Sequence, residues 1–185
     1  MPSFLTYPDE AKIIGNLLAG YTDLEVGLLN CIQVVRRFEF DTVLKAMFRV
    51  RGETNRIRIA DALGRVPYRE LGLEDSFIKV IGAMNYCMKV RNQYAHCVWW
   101  DDSTKKLAFA NLEEVAKLDT FQSDLQHLTA YHVDVPLLVS QEAYFAYTDD
   151  LTTWINYEGR FRAGRLQTQP QSEPQLVVQP PRRIP

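Results

Sequence analysis

Apolar residues recur at Ile14, Leu17, Leu18, Tyr21, Leu24, Leu28, Leu29, Ile32 and Val35, the spacing of a helix that buries one stripe. Pro8 suits the first helical position, and Asp9 and Glu10 suit its positive dipole end. Gly15, Gly20 and Gly27 interrupt the stripe, which predicts a kink near Gly20 or close contact with a neighbouring helix. A second helix carries Phe40, Val43, Leu44, Met47 and Phe48. Gly52 breaks it, Thr54 is expected to cap a third helix through Ile57, Ala60 and Leu63, and Pro67 marks the next turn.

From about Asp75 to Cys97 runs the longest uninterrupted helical pattern in the middle of the chain. Val98–Asp101, a polar turn at Asp102-Ser103-Thr104 and Lys105–Ala110 then read as a short β-hairpin. Residues 111–132 read as one short helix and a connection. Asp134 caps a last helix with Pro136 just inside it, running to about Arg162, with Leu137, Tyr144, Phe145, Leu151 and Ile155 facing inward. After Gly164 the chain is rich in Pro and Gln and poor in core residues, which predicts a disordered, dispensable tail. The expected fold class is all-α: an antiparallel bundle of four to five helices over residues 1–164, with a short hairpin after the central helix and a tail over 165–185.

Composition adds bounds rather than an answer. With 46% apolar and 24% charged residues in 185, the chain has globular composition and room for one sizeable core. Cys31, Cys87 and Cys97 are odd in number and form no C-x-x-C pair, which argues against a disulfide scaffold or a thiolate metal site. The N-terminus lacks a charged region followed by an apolar one, and no stretch approaches a membrane span. The expectation is a cytoplasmic protein with no membrane contact, no metal and no cofactor. The formal net charge is −2, yet Arg36–Arg69 holds nine Lys/Arg against four Asp/Glu. That run reads as a solvated helix face or as a surface that meets phosphate, with Arg56 and Arg58 as the candidate RNA contacts.

The candidate chemistry lies at the end of the central helix. On a helical wheel Asn85, Lys89, Asn92 and His96 fall near one line, while Val80, Met84, Cys87 and Tyr94 lie opposite. Asn92 sits one turn before His96, within reach of orienting its ring. Arg91 points towards the apolar face, where a guanidinium needs an acid or a phosphate as partner. Lys89 and Asn85 read as a polar helix face or as RNA contacts. Trp99 and Trp100 read as base-stacking residues or, more simply, as cover for a core.

The run Arg91-Asn92-Gln93-Tyr94-Ala95-His96 resembles the Arg-x(4–6)-His signature of the HEPN superfamily, in which a polar residue often follows the Arg and the motif ends a long helix of an all-α bundle. The resemblance covers about residues 9–162 in helix order. It implies metal-independent cleavage of RNA by Arg91, Asn92 and His96, at a cleft between two protomers. Toxins of this superfamily paired with a minimal nucleotidyltransferase carry a Tyr two residues after the His. Here that position is Val98, so regulation through such a Tyr is not expected. Asn55–Gly64, with Arg91-Asn92 and Ala95-His96, is similar to the mannitol-operon repressor family, whose role is regulatory.

Two function classes follow. One is a homodimeric RNA endonuclease, a toxin or defence effector restrained by an antitoxin or another regulatory partner. The other is a non-catalytic helical dimer that regulates or scaffolds. One chain supplies a single motif histidine, since His127 and His132 lie in no comparable sequence setting.

Overall fold

The computed structural model describes residues 2–117 and 130–184, and the region of His127 lies outside them. In chain order the elements are α1 (Pro2–Thr6), α2 (Pro8–Arg36), α3 (Phe40–Phe48), α4 (Glu53–Glu70), α5 (Glu74–Ala95), β1 (Cys97–Asp101), β2 (Leu107–Asn111), α6 (Leu112–Val115), β3 (Tyr131–Val133) and α7 (Val135–Arg162). The described residues are therefore mostly helical, with a small antiparallel sheet in the order β1-β2-β3. The expected hairpin gains a third strand: Leu107, Ala108 and Phe109 of β2 pair with Val133, His132 and Tyr131. This makes β2 a central strand, and all five of its residues are buried.

The chain forms two compact units, and α2, α5 and α7 contribute residues to both. One unit comprises residues 20–88 and 145–177. Its core holds Tyr21, Leu24, Leu28, Ile32, Met47, Ile57, Phe77, Met84, Leu151 and Ile155. Tyr68 stacks on Phe77 at 4.6 Å between ring centres. Gly64 permits this arrangement, because a Cβ there would stand 2.4 Å from Phe77 Cζ. Gly27 does the same more mildly, its missing Cβ falling 3.1 Å from Thr152 Cγ2. α2 runs through Gly20 as one helix, and of the two expectations for its glycines Gly27 meets the close contact with a neighbouring helix.

Two expectations for α4 are corrected. Gly52, at φ 87°, stands at the N-cap in place of Thr54, which lies inside the helix and donates to Met88 Sδ at 3.4 Å. Pro67 does not end α4 but lies buried within it. Proline offers no N–H to the carbonyl four residues back, which normally breaks a helix. Here that carbonyl, Leu63 O, accepts instead from Arg36 Nε at 2.6 Å, so the missing donor is replaced from α2.

The other unit comprises residues 1–19, 89–144 and 178–185. Phe4, Tyr94 and Phe109 surround Trp99, with ring centres 5.1–5.7 Å from its own. Trp99 is thus core cover rather than a base platform. Asp134 Oδ1 accepts from Leu137 N at 3.0 Å, capping α7 as its position implies.

The stretch after Gly164 carries no helix or long strand, but hydrogen bonds tie it down where composition suggested disorder. Trp154 Nε1 donates to Gln171 O at 2.8 Å, and Ser76 and Lys79 both donate to Glu173. In the second unit Gln93 and Gln141 donate to Arg182 O, and Ile184 forms a two-way backbone bridge with His132. Backbone carbonyls and the Glu173 carboxylate, met by side-chain donors, hold this segment.

Candidate functional site

α5 runs unbroken through Asn85, Lys89, Arg91 and Asn92 and ends at Ala95. His96 therefore stands just past the last helical residue, and the helical-wheel line does not extend to it. Its backbone carbonyl accepts from Leu112 N at 3.0 Å, fixing it beside the start of α6. Asn92 does not orient the imidazole as expected: its Oδ1 accepts from Arg91 Nη1 at 3.0 Å. Among the described residues, Glu113 places a carboxylate by the ring, with Oε1 3.7 Å from His96 Nε2. That is ion-pair range but longer than a hydrogen bond. The imidazole is 46% exposed and Glu113 59%, so both meet solvent.

Beside this pair lies a shallow pocket of about 140 Å³ that Lys89, Asn92, Gln93, Glu113, Lys117 and Arg182 help to line. Its cations come from three separate stretches of chain. Glu114, also on its wall, is occupied by Arg183 at 2.6 Å. Gln93 is the anchor underneath. It is 2% exposed, its Nε2 donates to Arg182 O at 2.9 Å, and its own carbonyl accepts from Asn111 Nδ2 and the Cys97 thiol. Gln93 Oε1 is buried without a hydrogen-bond partner. Glu113, Lys117 and Arg182 were not legible as site residues, because their proximity depends on α6 and the end of the chain.

The remaining candidates separate clearly. Asn85 Nδ2 donates to Ile81 O at 2.8 Å within its own helix. Arg56 is committed: Nη1 lies 2.9 and 3.1 Å from the two Glu25 oxygens, and the guanidinium sits 4.8 Å over the Phe48 ring. With Glu25 only 7% exposed, Arg56 is a structural cation rather than a ready phosphate contact. Arg58 is exposed. Asn85, Arg56 and Arg58 belong to the first unit, whereas Lys89, Arg91, Asn92 and His96 belong to the second.

Cys97, adjacent to His96, is no redox candidate. Burial, with Glu114 adding to it, pushes its thiol up to about 12, so the nucleophilic thiolate is scarce near neutrality. Asp102 and His132 form a separate pair, Oδ2 to Nε2 at 2.7 Å. Burial alone would raise Asp102, but hydrogen bonds from Thr104 and His132 outweigh it and lower the carboxyl to about 2.

Among the described residues no group of three or more His, Cys, Asp or Glu is placed to hold a metal ion. No helix among them is long and apolar enough to cross a membrane. None of the family models, curated proteins or solved structures compared with this chain matches it.

Proposed function

We propose that the chain is a HEPN-like RNA endonuclease working without a metal as a cytoplasmic homodimer, a toxin or defence effector restrained by an antitoxin or another regulatory partner. The observation that carries this reading is an exposed His96 at the end of α5, close to Arg91-Asn92 and beside a pocket whose cations are Lys89, Lys117 and Arg182. Cations at a pocket mouth suit a phosphate backbone. The lengths of α2, α4, α5 and α7 support the antiparallel bundle of four or five helices expected from the hydrophobic pattern.

In the proposed reaction one imidazole takes the proton of a ribose 2′-OH. The oxygen attacks the neighbouring phosphorus while the P–O5′ bond breaks. The leaving 5′ oxygen takes a proton from a second imidazole, giving a 2′,3′-cyclic phosphate and a 5′-OH. One chain supplies one suitable imidazole among its described residues, so the partner subunit's His96 is the natural second. Arg91 offsets charge on the phosphorane oxygens. For that it must leave the Asn92 Oδ1 that it meets here.

The test is a single-stranded RNA in excess EDTA beside a DNA of the same sequence. Cleavage confined to the RNA, with cyclic phosphate ends, is the expected result. Cleavage undiminished in a folded His96→Ala protein overturns the mechanism. The bond between Arg91 and Asn92 favours a second reading, a regulatory or scaffolding dimer in which this pair braces a helix end. A folded dimer that binds partners but never cuts RNA would select it.

A further inference from the structure

Within the second unit, residues 181–184 are held on a seat built from α5, α6, β3 and α7. Two buried amides from different helices converge on one carbonyl there. Gln93 Nε2 from α5 and Gln141 Nε2 from α7 donate to Arg182 O at 2.9 and 3.1 Å, and Gln141 Nε2 also donates to Pro181 O at 3.0 Å. Gln141, like Gln93, is buried. Next along the segment, Arg183 Nη1 lies 2.6 Å from Glu114 Oε2, and its guanidinium sits 3.5 Å over the Tyr131 ring. Ile184 then adds to the outer edge of β3. Its N–H donates to His132 O at 2.9 Å, and its carbonyl accepts from His132 N at 3.0 Å.

These contacts are of two kinds. The amides and the β3 edge read backbone, which any extended segment offers. Glu114 and Tyr131 read a side chain: a carboxylate and an aromatic face together select a cation, and a planar guanidinium meets both better than an ammonium. Bonds that do not involve the occupant hold the seat in shape. Tyr94 Oη donates to Gln141 Oε1 at 2.7 Å, which leaves the amide nitrogen facing the segment. Asn111 Nδ2 holds the Gln93 carbonyl at 3.1 Å, and Asp102 holds the His132 ring at 2.7 Å. A preorganised receptor loses little freedom when a ligand arrives. The occupant itself is in reach of solvent, with Pro181 exposed and the Arg183 and Glu114 side chains 26% and 42% exposed. Preformed donors beneath an accessible occupant make a site at which one segment can replace another.

We infer that this seat is a recognition site for an extended segment of a partner protein, one that carries an arginine followed by an aliphatic residue, and that residues 181–184 are its internal occupant. The site goes beyond the ribonuclease reading and stands without it. It bears on the pocket beside His96 all the same, because the docked segment places Arg182 on that pocket's wall. A partner segment that takes the seat withdraws one of the pocket's three cations.

The probe is a labelled, capped peptide of residues 178–185, titrated by fluorescence anisotropy into the full chain. In the wild type the tethered copy competes at an effective concentration on the order of millimolar. The full chain carrying Arg183→Glu and Ile184→Pro vacates the seat while every seat residue stays in place. The first change repels Glu114, and the second deletes the N–H given to His132. That chain should bind the peptide at least about tenfold more tightly than the wild type does. A peptide with Arg183→Glu should not bind it, and should bind once the chain also carries Glu114→Arg. Circular dichroism checks folding, and if the double variant does not fold, Arg183→Glu alone takes its place. No binding to the folded, vacated chain overturns the site. So does equal affinity for the wild type and the vacated chain, or binding indifferent to the peptide's arginine. Self-association of the wild type that disappears in the vacated chain would give the seat to a second copy and overturn the separate partner.

Discussion

The Arg36–Arg69 run and the surroundings of His96 both contain cations, and they use them in opposite ways. In the run, Arg36 serves Leu63 O, Lys45 pairs with Asp41, Arg56 with Glu25, Arg65 with Asp61 and Arg69 with Glu74. Five of its nine basic residues are thus spent on the fold itself. Around His96 the sequence shows no basic cluster, yet Lys89, Lys117 and Arg182 meet at one pocket. Net charge along a stretch of chain therefore says little about where a phosphate would be welcome. What counts is which cations the fold leaves facing a cavity.

This contrast can be broken by asking whether a change costs activity or stability. The largest effect expected is on catalysis: His96→Ala should lower RNA cleavage by about 10²–10⁴-fold, the usual contribution of a positioned acid or base, and Arg91→Ala by at least about a hundredfold. Gel assays on protein shown folded by circular dichroism measure both. Either variant retaining wild-type rates would make the two regions alike, both structural.

Next comes the converse. Glu25→Ala strands Arg56 in a largely buried setting and should cost about 3 kcal/mol in urea unfolding, the low end for breaking a buried pair because Arg56 is 21% exposed. RNA cleavage by the folded fraction should be unchanged. A smaller effect is expected for Gly64→Ala. The clash with Phe77 should cost about 1–3 kcal/mol, offset in part by the gain of about 1 kcal/mol for alanine over glycine in a helix.

The smallest effect, and the one that depends on pH, concerns the second unit. Asp102 is lowered to about 2 in the native state against about 3.9 when unfolded. Its stabilisation is therefore present above about pH 4 and is lost as pH falls towards 2. Asp102→Asn should lower stability by about 1 kcal/mol at pH 7, and the gap to wild type should close across that window. A gap that is constant down to pH 2 would mean that the charge of Asp102 contributes nothing.

The helices were legible because their signals are local. The 3–4 spacing from Ile14 to Ile32, the Asp134-Val135-Pro136 start and the Gly52 break each depend on a few neighbouring residues. What could not be read were features completed from a distance. The third strand requires Tyr131–Val133 to find β2 across more than twenty residues. The anchoring of the Pro-rich end depends on backbone carbonyls, which every sequence has, and on Glu173 and Arg183, whose partners lie far off in the sequence. The site was half legible: Lys89, Arg91 and Asn92 follow from position on α5 and His96 from its place just after it, whereas Glu113, Lys117 and Arg182 join them through tertiary structure. Arg56 looked like a phosphate contact because Glu25, thirty-one residues earlier, gives no local sign of meeting it.

The bond from Arg36 to the carbonyl stranded by Pro67 bears on the order in which the chain assembles. A peptide of residues 53–70 carries the proline but not the arginine, so its helix should fray before Pro67 when excised. The last turn of α4 is borrowed structure, complete only once the C-terminal end of α2 lies alongside. Docking of the two helices and completion of the second are then one event, and the turn that presents Tyr68 to Phe77 cannot mature ahead of it.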